Sequence, residues 1–300
     1  MRGRGEWRVA LGLVPAMAGV GLASGRELAL FFGQLKSAAW AGIMFAATLY
    51  GLLVSMALKR GDAAGVDGLA RLCEVLRLLL AALGSAFLLT RMGQLGALTL
   101  PLRHGYGFGV GFGLLAGLAL HRIRPRWGLG LFLLGGLCAF YAAMALDPRP
   151  PRLYVSGDTD FYLAGSLPAA FGLALTHAAL TACAAADAAR PAQIAGTRPA
   201  AVGLRSALLI LAPLSLAELA LMRGGDAVIA HPMPWVALSA RWGLWGFWLC
   251  AGLEYLCAAA TAASMLALLI DRLRRRDRAL AAHMLIGAAV VFGVLSWNKG

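Results

Sequence analysis

The chain has 300 residues, of which 60% are hydrophobic and only 14% are charged, and its mean hydropathy is +0.75. Soluble domains carry about 45–50% apolar and about 25% charged residues, so a soluble domain of this length could not bury so much apolar surface. The same values exclude intrinsic disorder, a collagen-like repeat and a small disulfide-stapled secreted domain. The composition predicts an all-α polytopic membrane protein.

The cysteines and the motif content indicate no cofactor and no enzyme. All five cysteines lie inside or at the start of apolar runs, and no C-x-x-C pair is present, so they are predicted to be small buried hydrophobic residues. His-pair metal motifs, a P-loop, a G-x-S-x-G elbow and a Rossmann fingerprint are absent. Neither a metal nor an organic cofactor is predicted, although Na⁺ or H⁺ could act as a coupling ion.

Nine stretches are long and apolar enough to be membrane-spanning helices, which need about 20 residues. We predict them at residues 8–33, 37–58, 69–90, 105–121, 127–146, 161–187, 202–222, 241–270 and 279–297. The fourth is short and rich in glycine, which favours close contact between helices. Since the connections are short, residues 1–300 are predicted to form a single transmembrane domain.

The net charge of +13 is explained by membrane topology. With a cytoplasmic N-terminus, the inner segments hold seventeen Lys and Arg residues and the outer segments hold eight, Arg91 among them. Cytoplasmic loops attract positive charge, so we predict a multi-pass protein of the cell membrane with an extracytoplasmic C-terminus. The predicted partner of the basic charge is the lipid bilayer, and no nucleic-acid partner is predicted. A signal peptide cleaved after Ala23 is an alternative for the first span.

The first span has a polar, glycine-rich segment at its middle, with the sequence Gly19-Val20-Gly21-Leu22-Ala23-Ser24-Gly25-Arg26-Glu27. A helix from Val9 to Gly19 rises about 16 Å, half of a roughly 30 Å hydrocarbon core. Glycine weakens a helix, and Ser24-x-x-Glu27 is a capping-box pattern that predicts a new helix beginning at Ser24. We therefore predict two half-helices whose free backbone groups bind a substrate or ion at membrane depth. A glycine-rich packing face with a kink is the alternative.

A second interruption is predicted in the sixth span, at Pro168. Proline lacks an amide hydrogen and frees the carbonyl of Ala164, and Gly172 follows one turn later. Helices one and six correspond in two five-helix halves, and paired breaks at these positions are typical of inverted-repeat transporters. The sequence thus predicts a first repeat at 8–146 and a second, incomplete repeat at 161–297, with a simple proline kink as the alternative.

Four polar residues of the eighth span are spaced +3, +4 and +3, which places Glu254, Cys257, Thr261 and Ser264 on one helical stripe. This stripe could line a pathway, with Glu254 or Glu27 carrying a proton and the two hydroxyls coordinating Na⁺. Alternatively, Thr261 and Ser264 donate hydrogen bonds to carbonyls of their own helix, four residues back.

Two further ionisable residues have less specific interpretations. His177, in the sixth span, is predicted either to relay protons or to form a structural hydrogen bond with a neighbouring helix. Glu218 lies five residues before Arg223 near the outer boundary, so it is predicted to be solvated or to reach the interface.

The segment Gly19–Glu27, followed by Phe31-Phe32, resembles the G-A-G-F-A-[ST]-G-[QR]-E…FF signature of the YkvI-like bacterial membrane proteins. That family is related to the amino acid–polyamine–organocation transporters with the LeuT fold. The resemblance is specific in this N-terminal segment and fainter at Pro232-Met233-Pro234 and at Glu254. It implies a five-plus-five inverted-repeat core with a substrate site between helices one, three, six and eight.

The chain departs from that family pattern in two places. Cys257 and Ala258 stand where the family has a Thr-Thr pair, which puts Na⁺ coupling in doubt unless Thr261 and Ser264 substitute. Nine helices are predicted where the family fold has ten, so the tenth is expected to be missing. The chain is then either a shortened paralogue or one that needs a partner subunit to cover the exposed groove.

The leading hypothesis is a secondary transporter that moves a small organic solute, an amino acid or an amine, by alternating access with ion or proton coupling. The solute would bind the unwound backbone at Gly19–Ala23 and around Pro168. The competing hypothesis is a non-transporting membrane sensor or assembly protein derived from a transporter fold, which the missing helix and the altered Thr pair favour. An intramembrane enzyme needs a nucleophile or metal set, and none is identified.

Overall fold

The structure is a computed structural model of the chain. It describes residues 2–19, 22, 25–60, 68–100, 104–122, 126–149, 171, 172, 174, 175, 178, 196–231 and 233–274. Every regular element in these ranges is a helix, so the predicted all-α class is confirmed for the part of the chain that is described.

The helices fall into two groups along the chain. The first group consists of α1 (Arg2–Met17), α2 (Arg26–Phe31), a 3-10 turn at Gly33–Ala38, α3 (Ala39–Arg60), α4 (Gly68–Thr99), α5 (Gly105–Arg122) and α6 (Arg126–Leu146). The second group consists of α7 (Pro199–Gly224), α8 (Asp226–Ile229), α9 (Pro234–Ser239), a 3-10 turn at Ala240–Trp242 and α10 (Gly243–Arg274).

Among the described residues, five stretches of helix are long and apolar enough to cross a membrane, namely Ala39–Lys59, Leu78–Thr99, Arg126–Leu146, Pro199–Gly224 and Pro234–Ala267. The shorter apolar helix Gly105–Leu120 coincides with the fourth predicted span. These stretches indicate a membrane-embedded helical protein. The predicted span 279–297 and most of 161–187 lie outside the described residues. The nine-helix count and the LeuT-type repeat stay predictions.

The predicted end of the third span at residue 90 is wrong. Helix α4 continues to Thr99, so Arg91, assigned from sequence to an outer segment, lies inside the apolar stretch Leu78–Thr99. A charged side chain at this position in a membrane helix requires a partner or a polar cavity.

Small residues bring the helices close together, as the glycine content predicts. Helix α3 packs against α7, α4 against α5, and α10 against both α4 and α5, while α1 contacts α6, α7 and α10. A Cβ atom at Gly109 in α5 would lie 2.2 Å from the carbonyl oxygen of Met92 in α4. A Cβ atom at Gly203 in α7 would lie 2.3 Å from the carbonyl oxygen of Gly51 in α3. Glycine is thus required at both crossings.

The crossing of α1 and α6 supplies a stability prediction with a control on the same helix. A Cβ atom at Gly130 would lie 1.9 Å from the Leu11 carbonyl oxygen, whereas one at Gly135 would meet no atom within 4 Å. We expect Gly130→Ala to reduce the unfolding free energy by about 1–3 kcal/mol, because the helices must separate. Gly135→Ala should be neutral or slightly stabilising. Thermal unfolding in detergent measures both, and equal midpoints for the two variants would contradict the close crossing.

A charged cluster lies at the C-terminal end of α6, where Asp147 and Arg149 follow the apolar stretch Arg126–Leu146. Arg241 donates hydrogen bonds to the carbonyl oxygens of Met144 and Arg149, the second at 3.0 Å, and so satisfies groups that a helix end leaves free. The Asp147 carboxylate accepts from Arg149 Nη2 at 2.8 Å and from Trp242 Nε1. The hydrogen bonds from Arg149 above all, together with Trp242 and the charge of Arg241, hold the pKa of Asp147 well below its usual range.

This cluster makes the stability of the protein depend on pH. Because the pKa of Asp147 is depressed in the folded state, its contribution is complete above the ordinary carboxyl pKa of about 3.9 and is lost as the pH falls further. We expect Asp147→Asn to lower the unfolding midpoint by the same amount from pH 7 down to about pH 5, and by progressively less below about pH 4. Unfolding curves across this range test the assignment, and a difference that grows in acid would overturn it.

Candidate functional site

The first predicted span is interrupted in the structure. Helix α1 ends at Met17 and α2 begins at Arg26. Gly25, directly before α2, has a left-handed φ of 73°, and a Cβ atom there would lie 2.6 Å from the ring of Trp235. Glycine is therefore required both by the backbone and by packing. The prediction that α2 begins at Ser24 with a side-chain cap is wrong, because the N-cap is Gly25 and has no side-chain hydrogen bond.

The end of α1 is joined to α10 by a single hydroxyl group. Thr261 Oγ1 accepts a hydrogen bond from the Gly19 amide at 2.7 Å and donates one to the Pro15 carbonyl oxygen at 2.9 Å. A Cβ atom at Gly19 would lie 2.7 Å from the Cys257 carbonyl oxygen, so the two backbones are in direct contact. Thr261 thus satisfies two backbone groups that the helix interruption leaves without helical partners.

The carbonyl oxygen of Leu22, within the interruption, accepts two further hydrogen bonds. Tyr141 on α6 donates through its hydroxyl at 2.5 Å, and Trp235 on α9 donates through Nε1 at 3.1 Å. The two rings pack on each other with their centroids 4.8 Å apart, and both side chains are fully buried. Side chains of α6 and α9, together with Thr261 on α10, therefore hold the backbone at Leu22 and Gly19 in place.

Three ionisable side chains lie beside the interruption. Arg91 on α4 forms an ion pair with Glu27 on α2, with 3.4 Å between Nη2 and Oε1, and their side chains are 15% and 13% exposed. Glu254 on α10 is 3% exposed, and its Oε1 accepts a hydrogen bond from the thiol of Cys250 at 3.5 Å. Arg91 also donates to Gln94 Oε1 at 3.2 Å.

Glu27, Arg91 and Glu254 line one small cavity, which has room for about one water-sized group. Its walls come from both sides of the helix interruption, from α4 and from α10, and its lining residues are Gly19, Glu27, Leu88, Arg91, Leu95, Met233, Glu254 and Ala258. The lining combines two carboxyl groups and one guanidinium with apolar side chains. Among the described residues, no group of three or more His, Cys, Asp or Glu side chains could hold a metal ion.

The predicted polar stripe of α10 is buried, but its members have different roles. Glu254 lines the cavity, whereas Cys257, Thr261 and Ser264 do not. The alternative that a hydroxyl bonds its own helix is correct for Ser264, which donates to the Ala260 carbonyl oxygen at 3.2 Å, and wrong for Thr261.

Several predicted site residues cannot be placed beside the cavity. Gly25 and Arg26 are described but do not line it, and Gly172 is an exposed helical residue. The interruption predicted in the sixth span stays a prediction. The predicted residues outside the described ranges are Val20, Gly21, Ala23, Ser24, Ala164, Pro168 and His177.

The prediction for Glu218 is wrong. Its side chain is not solvated but is only 1% exposed in α7, and within the described part of the chain both carboxyl oxygens are without a hydrogen-bond partner. Arg223, the expected neighbour, donates instead to the carbonyl oxygen of Ala145.

Sequence reasoning missed Arg91, Tyr141 and Trp235 as parts of the site. The sequence could have indicated that Arg91 belongs to the third span. It stands between Thr90 and Met92 within a longer apolar run, which is compatible with a helix that continues past residue 90. Trp235 directly follows Pro232-Met233-Pro234, where the resemblance to the YkvI-like proteins is fainter. Nothing in the sequence distinguishes Tyr141 from other aromatic residues of the apolar spans.

No family model matches the chain, and the search of curated proteins gives no match. A search of solved structures finds similarity to a manganese transporter of Eremococcus coleocola, crystallised with an aromatic bis-isothiourea compound. The TM-score is 0.44 and the sequence identity 16%, over 100% of this chain and 72% of that chain. Similarity at this level assigns neither a family nor a substrate. The relationship to the YkvI-like proteins therefore stays a prediction from the motif.

Proposed function

We propose that the chain is a secondary transporter that moves a small organic solute, an amino acid or an amine, by alternating access with proton coupling. The observation that carries this proposal is the cavity beside the interrupted first helix, with Glu27, Arg91 and Glu254 in its wall. Interrupted helices with ionisable side chains at membrane depth are the usual sites of solute and ion binding in secondary transporters.

The charges of the cavity match a solute that carries an amino group. Glu27 and Arg91 form an ion pair, so their charges balance. The net charge of the lining therefore depends on Glu254, its second carboxyl group. When Glu254 is ionised, the three side chains carry one net negative charge, which favours an ammonium group. When Glu254 is protonated, the cluster is neutral and that attraction weakens. A solute carboxylate could pair with Arg91, whose planar guanidinium suits that group.

The hydroxyl groups of α10 favour a proton over Na⁺ as the coupling ion. Thr261 donates its hydrogen to the Pro15 carbonyl and accepts from the Gly19 amide, and Ser264 donates to its own helix. Neither hydroxyl lines the cavity. Glu254, by contrast, lines the cavity and can bind a proton without other ligands. Proton coupling through this carboxyl group therefore needs no additional oxygen ligands.

The small size of the cavity indicates how transport would proceed. A site with room for about one water-sized group must widen before an amino acid enters. Helix α1 contacts α6, α7 and α10 and is separated from α2 by the interruption, so it can move without α2. Rocking of α1 would widen the cavity on one side of the membrane at a time.

The test is solute-driven proton movement in proteoliposomes that contain a trapped pH-sensitive dye. A panel of the twenty common amino acids and of small polyamines is added outside, and the internal pH is followed. We expect at least one solute to raise the internal pH, because solute and proton bind the site in alternation and are exchanged, while protein-free liposomes show no change. If no solute of the panel moves protons or accumulates although the protein is folded, the transporter proposal fails and a sensor or assembly role takes its place.

A further inference from the structure

Helix α7 contains a buried carboxyl group that the proposed mechanism does not use. Glu218 lies within the membrane-spanning stretch Pro199–Gly224 and does not line the cavity. Its side chain is 1% exposed, and neither oxygen accepts a hydrogen bond from a residue in the described ranges. Buried polar groups are almost always hydrogen-bonded, so this carboxyl group requires a specific explanation.

The basic residue nearest along α7 does not neutralise Glu218. Arg223 lies five positions further on and donates to the carbonyl oxygen of Ala145 at the end of α6. Arg205, at the other end of α7, forms an ion pair with Glu6 of α1. Both basic residues of α7 thus have other partners.

The elements packed against α7 also contribute no partner. They are α1, α2, α3, α6, α8 and the 3-10 turn at Gly33–Ala38. The titratable and charged side chains that the structure describes on these elements are Arg4, Glu6, Arg8, Arg26, Glu27, Tyr50, Lys59, Arg126, Cys138, Tyr141 and Asp226. None of these groups forms a hydrogen bond with either oxygen of Glu218.

An ionised carboxylate in this position has no compensating partner among the residues that the structure describes. Burying an isolated charge costs far more than burying a neutral acid, so a carboxyl group in this setting takes up a proton instead. Protonation adds H⁺ to one carboxylate oxygen and involves no other bond. We propose that Glu218 is a second proton-binding site of the protein, separate from Glu254 and occupied in this conformation.

The position of Glu218 links this site to the movement of α1. Helix α7 packs directly against α1 and α6, so a displacement of α1 changes what surrounds the α7 carboxyl group. Water that reaches Glu218 would stabilise the ionised form and release the proton. This use in proton coupling rests on the proposed transport function, whereas the occupancy of the site does not.

Infrared spectroscopy of the purified protein at neutral pH tests the occupancy directly. We expect the difference spectrum between the parent and Glu218→Gln to contain the C=O stretch of a protonated carboxyl group. The matched control is Glu6→Gln, which removes a carboxylate that is ion-paired with Arg205 and should give carboxylate bands instead. Carboxylate bands for Glu218 would overturn the proposal.

A second variant covers the case in which Glu218→Gln folds poorly. Glu218→Met replaces the side chain by an apolar one of similar length, which should preserve or raise the unfolding midpoint if the carboxyl group is neutral and without partners. A large loss of stability would overturn the proposal, because it would indicate a charged group with essential partners. Neither measurement needs transport, so failure of the transporter proposal is distinguishable from failure of this one.

Discussion

Replacing Glu254 by glutamine is expected to abolish solute-driven proton movement while leaving solute exchange intact. Glutamine resembles the protonated acid in shape but cannot release a proton, so the cavity would remain in its neutral state. The solute-driven change of lumenal pH should fall to the level of protein-free liposomes. Exchange of labelled for unlabelled solute at a saturating concentration needs no proton release and should continue, which separates a coupling defect from misfolding.

Ser264→Ala is the control for this variant. Ser264 lies on the same helix, is buried, and bonds only to its own helix, so its loss should leave coupled transport unchanged. Parent-level proton movement by the Glu254→Gln protein would show that the coupling group lies elsewhere. Loss of coupled transport in Ser264→Ala would show that any change in α10 disturbs transport.

Replacing Thr261 by valine is expected to cause the largest loss of stability among the site variants. Valine has the same shape but leaves the Gly19 amide and the Pro15 carbonyl without their partner. Each buried group left unsatisfied costs about 1–3 kcal/mol. The unfolding midpoint in detergent should fall well below that of the parent, and coupled transport should fall with it, because α1 loses its link to α10.

The comparison with Ser264→Ala isolates the cross-helix bond. Both substitutions remove a buried hydroxyl from α10, but the Ser264 hydroxyl bonds to a carbonyl group within its own helix. Removing such a bond has little effect, because that carbonyl is also part of the helical hydrogen-bond pattern. Equal midpoints for Thr261→Val and Ser264→Ala would refute the role of Thr261 at the interruption.

The interruption itself could be predicted from sequence, because its cause is local. Glycines and adjacent charged residues at the middle of an apolar span are poor helix formers. The start of α2 was misplaced by the capping-box pattern, since the left-handed backbone of Gly25 takes the N-cap position. Such a choice depends on the packing of Trp235, which is remote in sequence.

The partners of the interruption could not be predicted, because they depend on how distant helices are placed. Thr261 is separated from Gly19 by 242 positions, and Arg91 from Glu27 by 64. No local pattern encodes these pairs. The burial of Glu218 could not be predicted either, because it also depends on how distant helices pack. Arg223, five positions further on, suggested a solvated carboxylate, whereas the side chain of Glu218 is buried.

Protection of an engineered cysteine tests most directly whether the cavity beside the interrupted helix binds the solute. Leu95 on α4 lines the cavity, and Leu98 on the same helix is 56% exposed and does not. Each is changed to cysteine in a protein whose native cysteines are replaced, and labelling by a small thiol reagent is followed with and without a transported solute. At ten times its Kd, the solute should slow labelling of Leu95→Cys about tenfold and leave Leu98→Cys unchanged. Equal labelling rates at Leu95→Cys, with uptake still active, would contradict the account.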